Sequence, residues 1–416
     1  MSDQQASLGA VIWLDRATPP HIITLVLMSG VAAMSMNVFL PSLPSMAADF
    51  GADYRLVQLA VSGYLAVTAA VQLILGPLSD RYGRRPVVLG AIILFILASL
   101  ACIVAPTIET FLAARFAQAG IATGIVLSRA IVRDMVPTDQ AASMIGYVTM
   151  GMALVPMISP MIGGVLEQAF GWRSNFVFML GAGLLLLLIT LRDLGETNLT
   201  PSTRLTDQFR AYPELAQSRR FWGYAFTAAF AAGSFFAFLG GAPYIGARVY
   251  GLDPATTGFY FGFIAVGFMA GNFLTGRYTQ RLGLDRMMML GTLVAVVSLL
   301  LACLLNAWGA LHPLAFFIPV MGMGLGNGLT MPNASAGSVS VRPHLAGSAS
   351  GLSGTLMVGG GAVISAATGM FLGEDVSAWP LLLMMTASAV LAFICACYVI
   401  WVARRRGPLA GTAQEL

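Results

Sequence analysis

Three groups of residues in this sequence could do chemistry or move a load. The first is Arg115-Phe-Ala-Gln118-Ala-Gly120, set in an otherwise apolar stretch. A guanidinium and an amide three residues apart lie one helical step from each other, so both can face one cavity. A cation at membrane depth costs roughly 3 kcal/mol or more, which makes Arg115 a functional candidate in its own right. The second group is Gly76-x-x-x-Asp80-Arg81-x-Gly83-Arg84-Arg85, with Arg133 and Asp134 further along. Gly76 and Gly83 permit close approach and a tight turn. Asp80 can meet a helix N-terminus or pair with an Arg across an interface, so the cluster reads as a charge latch. The third is Ser159-Pro160-Met-Ile-Gly163-Gly164, where small residues let helices touch and Pro160 bends one of them. Asn37, Tyr64, Phe235, Phe238 and Asn327 stand in apolar runs and are further candidates for lining a binding cavity. No His/Glu metal set, nucleophile motif or phosphate loop occurs, so neither a cofactor nor a catalytic role is expected.

Composition dictates the elements that must hold these groups. The 416 residues are 57% hydrophobic and 10% charged, against roughly 25% charged in a soluble domain. Mean hydropathy is +0.81. Such a chain could not hide its apolar surface in water, which excludes a soluble fold, a disordered chain, a disulfide scaffold and a nucleic-acid binder. Cys102, Cys303, Cys395 and Cys397 fall within apolar runs and are expected to pack there as small side chains. Charge-free runs cover 22–48, 56–79, 86–108, 140–166, 174–191, 221–247, 254–276, 287–341, 343–373 and 376–403. Asn306 to Pro313 divides the long run in two, and 109–131 is apolar except for Arg115. At about 20 residues per crossing, the pattern predicts twelve transmembrane helices.

Every basic residue is Arg, and 18 of the 22 fall on the side that also holds both termini. Both termini are therefore expected in the cytoplasm. The polar stretch from Arg192 to Arg220 separates two sets of six helices. The expected organisation is a tail (1–21), a first bundle (22–193), a linker (194–218), a second bundle (219–403) and a closing tail (404–416). The halves resemble each other at nearly fixed offset. Gly76, Arg81 and Gly83 match Gly276, Arg281 and Gly283, with Gln280 at the place of Asp80, and Asp53 matches Asp253. Parallel six-helix repeats around a central midplane site are the architecture of major facilitator transporters.

The motifs sharpen that resemblance. The group from Gly76 to Arg85 resembles the superfamily's loop 2–3 signature in full. Arg115-x-x-Gln118 resembles the R-x-x-Q-G motif of proton-coupled drug exporters, and Ser159-Pro160-x-x-Gly163-Gly164 resembles the exporter signature G-P-x-x-G-G, with Ser159 for its Gly. Together with Ser35-Met-Asn37 and Gly171-Trp172-Arg173, they make the chain similar to the Bcr/CflA branch of drug exporters, which includes phenicol-resistance proteins. The resemblance implies an all-α membrane protein in the major facilitator fold, with twelve helices in two pseudo-symmetric six-helix bundles. It implies proton-coupled export of small, largely apolar compounds from a monomer in the bacterial inner membrane. Asn37, Tyr64, Arg115, Gln118, Phe235, Phe238 and Asn327 are the residues expected at the substrate, and the loop and helix-five motifs are expected at the gates. An uptake carrier for an endogenous metabolite is the alternative. The family's helix-one Asp is replaced here by Asn37, so coupling would fall to Asp80, Asp134 or another edge carboxylate. With Arg115 as the fixed charge at depth, neutral, zwitterionic or anionic substrates are expected over lipophilic cations.

Overall fold

The computed structural model describes residues 11–136, 144, 148, 155, 158–198, 215, 217–310, 312–342, 345–372 and 377–406, and these are helical apart from short connections. Among them, eleven helices are long and apolar enough to cross a membrane. In order, the first four are Ile22–Phe50, Tyr54–Leu75, Arg84–Val104 and Ile108–Val132. The expected fifth lies partly outside the described residues, and its described portion is helical over 158–170. The sixth to ninth are Arg173–Asp193, Arg219–Val249, Pro254–Leu282 and Leu284–Ala307. The tenth to twelfth are Pro313–Ser340, Ala349–Phe371 and Trp379–Ala403. Hydrocarbon offers no partner to a backbone N–H, so apolar runs of this length close their hydrogen bonds internally as helices.

The internal repeat reappears as matched backbone punctuation. Gly83 and Gly283 end their helices at φ of +92° and +81°, and their N–H groups return to the carbonyls of Ser79 and Thr279. Gly51 and Gly251 turn the chain at φ of +58° and +63°. Asp53 and Asp253 then cap the next helices, accepting from the N–H of Arg55 and Thr256 at 2.8 and 2.9 Å. A left-handed turn favours glycine, and an N-cap favours Asp, so the same two choices recur 200 residues apart.

Two spans are less regular than their apolar runs suggest. The first is α-helical over Ile22–Asn37, tightens to a 3₁₀ turn at Leu40–Ser42 around Pro41, and resumes at Leu43–Phe50. The fourth is α-helical over Ile108–Ala117, 3₁₀ over Gln118–Ala122 and α-helical again over Thr123–Met135.

The halves meet at the end marked by Gly51 and Gly251. There the Tyr54 hydroxyl donates to the Gly240 carbonyl at 2.8 Å, and its ring lies 4.9 Å from that of Tyr244. The Gln58 amide donates to the carbonyl and hydroxyl of Ser365 at 2.8 and 2.9 Å. Arg55 Nε donates to the Leu372 carbonyl at 3.2 Å. Gly164 abuts the backbone of Pro254 and Ala255, and Gly258 abuts that of Pro160, so a Cβ at either would strike main chain. The third motif thus packs the fifth helix against the eighth, as its small residues imply.

Candidate functional site

Arg115 is fully buried in the first bundle, and its surroundings account for the cost of placing it there. Its Nη1 donates to Gln118 Oε1 at 2.8 Å and to Ser35 Oγ at 3.1 Å. Nη2 donates to the Ser35 carbonyl at 2.8 Å, and Nε to the Ala60 carbonyl at 3.3 Å. The Tyr64 and Phe39 ring centroids lie 3.8 and 4.4 Å from its Cζ. The flat guanidinium therefore has rings over its faces and acceptors around its rim, an arrangement that suits Arg and not Lys. Gln118 passes the network on, donating to Ser99 Oγ at 2.7 Å, and Ser99 in turn donates to the Phe95 carbonyl. Among the described residues no carboxylate neutralises this cation.

The expected Arg115–Gln118 partnership is present, but its direction differs. Both side chains point into the bundle interior, where carbonyls and hydroxyls of the first, second and third spans satisfy them. They do not stand on an open wall. Tyr64, 2% exposed, belongs to the same cluster, with its hydroxyl 3.4 Å from Ser35 Oγ. Asn37 does not join it. Its Nδ2 donates to its own turn at Ala33, and its buried Oδ1 has no partner. Phe238 is fully buried among Phe261 and Phe317, and Asn327 is 2% exposed beside Ser234. Phe235 is half-buried, with its ring stacked near Phe268. Sequence reasoning did not give Ser99 or Phe39 a role. The signal for Ser99 was a hydroxyl in the middle of the apolar run 86–108, whose other hydroxyl, Thr107, stands near its end.

The charge latch is also built differently from expectation. Arg84 pairs with Asp80 and with Asp134, the latter at 3.0 Å, so these ion pairs run within the first half and not across the interface. Asp80 also has its carbonyl engaged by Asn198 Nδ2 at 2.9 Å. Glu196 accepts from the N–H groups of Arg84 and Arg85 at 2.8 and 3.1 Å, placing a carboxylate on the N-terminus of the third span. Arg85 Nε reaches the Leu194 carbonyl at 2.9 Å, while Arg81 is exposed and lies over the Tyr82 ring. A Cβ on Gly83 would collide with Glu196, so this glycine serves a close approach as well as a turn. The first residues of the expected linker, 194–198, therefore pack as part of the first bundle. Gly76 lies in the second helix, Ser159 bonds back to the Val155 carbonyl at 2.7 Å, and the surroundings of Gly76 and the side chain of Arg133 lie outside the described set.

The four cysteines are free thiols. Among the described residues no three His, Cys, Asp or Glu side chains gather as a metal site would require. What the geometry offers is two helical bundles hydrogen-bonded to each other at one end, with each expected gate motif resting on backbone-to-backbone contact or a charge cluster.

Known proteins match this arrangement. The sequence profile described as Major Facilitator Superfamily matches residues 25–366. An uncharacterized MFS-type transporter of Bacillus subtilis, YdgK, is 33% identical over 86% of this chain and 90% of its own length. A bicyclomycin resistance protein homolog of Haemophilus influenzae is 28% identical over 91% of this chain and 96% of its own. In fold, the chain is similar to a bacterial homolog of the lysosomal transporter Spinster, crystallised inward-facing and unoccupied, with a TM-score of 0.74 and 18% identity over 92% of this chain and 96% of that one.

Proposed function

Because the chain belongs to the Major Facilitator Superfamily, we propose that it is an exporter of small, largely apolar xenobiotics, working by alternating access with protons in counterflow. The observation that carries this reading is the seal made by Tyr54, Gln58 and Arg55 against Gly240, Ser365 and Leu372. The Arg distribution supports a cytoplasmic position for both termini and for the Gly83/Gly283 end. The sealed end is then the outer one, and a seal there belongs to the state in which an exporter loads from the inside. The drug-resistance name of the Haemophilus relative supports a drug-like substrate class. The motif resemblances support the same branch of the superfamily, acting as a monomer in the bacterial inner membrane.

The enclosed Arg115 contributes its field to the transport path and not its hydrogen bonds. An uncompensated cation in a low-dielectric bundle raises the potential nearby, which favours neutral, zwitterionic or anionic substrates, phenicols among them. A ligand that binds the folded carrier raises its stability by mass action. The test is a thermal-shift screen of the purified protein against phenicols, fluoroquinolones, lipophilic cations and organic anions, followed by transport of each hit in inverted vesicles. Phenicol stabilisation with uptake into energised inverted vesicles is the expected result. Transport of a phenicol-sized compound in the opposite direction, or stabilisation by endogenous metabolites alone, would replace export with uptake.

A further inference from the structure

A carrier whose outer gate answers to proton concentration needs a protonatable group, and the middle of the first span offers only an amide, Asn37. Most of the described carboxylates are already engaged. Asp80 and Asp134 share Arg84, and Asp49 pairs with Arg173. Asp53 and Asp253 cap helices, Asp193 and Glu196 accept backbone N–H groups, and Asp285 accepts from the Tyr224 hydroxyl. Glu167 is different. It is 7% exposed, and neither of its oxygens has a hydrogen-bond partner.

Its position is as distinctive as its isolation. Glu167 lies at the outer end of the fifth span, just past the apolar run 140–166 and one turn beyond Gly163 and Gly164 on the same helical face. Gly163 abuts the Val38 carbonyl of the first span, and Gly164 abuts Pro254 and Ala255 of the eighth. The face that carries Glu167 is therefore wedged between the two halves at the sealed end. The groups facing it are the hydroxyls of Ser42 and Ser45, and Ser42 Oγ already accepts from Asn175 Nδ2 at 2.8 Å. The charged groups on the neighbouring elements have partners of their own: Asp49 pairs with Arg173 at 2.8 Å, and Asp253 accepts from the Thr256 hydroxyl.

Building on the exporter reading, we propose that Glu167 is the proton-binding group of the outer gate, taking up a proton from the outer solution as the first, fifth and eighth helices close over it. The step is carboxylate plus proton to carboxylic acid, and it needs no other reactant. A desolvated carboxylate is costlier than the neutral acid, so the buried, closed position favours the protonated form. When the helices part, water reaches the group and its affinity for a proton falls. The closed gate is thus most favoured at low pH and loses ground as pH rises above the ordinary carboxyl value. An acidic exterior resets the carrier to face inward.

The experiment places spin labels at Phe170→Cys and Trp308→Cys, exposed positions of the two halves at the sealed end, with the four native cysteines replaced. Inter-label distances are recorded in lipid nanodiscs across a pH series, without substrate. With one proton linked to closure, the open-to-closed ratio should rise about tenfold per pH unit between the two carboxyl values. Glu167→Gln should hold the closed distance at every pH, and Glu167→Asp, which retains the acid, should keep a titration with a displaced midpoint. An unchanged titration in Glu167→Gln, or no change with pH in either the native protein or Glu167→Asp, would overturn the proposal. So would opening that follows sodium concentration and ignores pH. Because no drug is present, the result stands apart from the substrate assignment. Conversely, drug export whose dependence on the pH gradient survives Glu167→Gln would leave the exporter reading intact and remove Glu167 from it.

Discussion

Arg115 shows how a single side chain can be affordable at membrane depth without a counter-ion. Four hydrogen bonds and two ring faces surround it. Lys offers a compact ammonium with no flat face, so Arg115→Lys should keep the charge, lose much of this shell and destabilise the protein by about 2 kcal/mol or more. Gln118→Ala strands one Nη1 bond and the Ser99 contact, and should cost roughly 1–3 kcal/mol. Thermal unfolding in detergent measures both, and two variants that melt like the native protein would contradict this account. Asn37→Asp puts an acid at a buried site whose Oδ1 is unpartnered. It should extend binding toward lipophilic cations, read by competition between a cation and a phenicol. The link between Arg115 and Gln118 was legible in their spacing. Its inward direction was not, because helical periodicity shows that two residues share a face without showing what that face meets. Ser35 and Ala60 satisfy the guanidinium through main-chain carbonyls, which carry no signature in a sequence.

At the level of helices, contacts too close for a methyl group decide where elements can separate. Gly164→Ala and Gly258→Ala should push the fifth and eighth helices apart and raise the outward-open population, measurable as longer distances between labels at 170 and 308. Gly181→Ala, where a Cβ meets nothing, should leave both distance and melting temperature unchanged. Asp80→Asn should release half of the Arg84 clamp, slowing transport while leaving substrate affinity near its native value, as initial rates and equilibrium binding would show. Span positions were readable because charge-free runs of sufficient length have few alternatives in a bilayer. The break at Leu40–Ser42 had a visible cause in Pro41, whereas the 3₁₀ segment Gln118–Ala122 had only Gly120 to announce it. Packing against the third span at Leu94 and the demands of the Arg115 cluster act there from outside the local sequence.

Across the whole molecule, the seal depends on a few groups with good geometry. Gln58 is 1% exposed and fits against Gly240 and Gly369, where any larger residue would displace it. Gln58→Leu keeps the bulk and removes both bonds to Ser365. At about 1 kcal/mol per net hydrogen bond, losing two should raise the outward-open to closed ratio roughly thirtyfold, again by label distances. The 200-residue repeat was legible in Gly83, Gly283, Asp53 and Asp253 because turns and caps have strict residue preferences. The meeting of the halves was not, since it joins Gln58 to Ser365 and Tyr54 to Gly240, pairs with no common motif.

The closing stitches of the first bundle bear on how the chain is made. Asp193 accepts from the N–H groups of Leu14 and His21, near the start of the chain, at 2.8 and 2.9 Å. Glu196 and Asn198 then engage the turn between the second and third spans. These bonds come from residues that leave the ribosome directly after the sixth span, before any of the second bundle has emerged. The first bundle can therefore lock its own perimeter during translation and wait as a finished unit for its twin. A nascent chain arrested once residue 198 has emerged should resist protease in membranes, whereas one cut back to residue 190 should be digested, its opening segment left without an anchor.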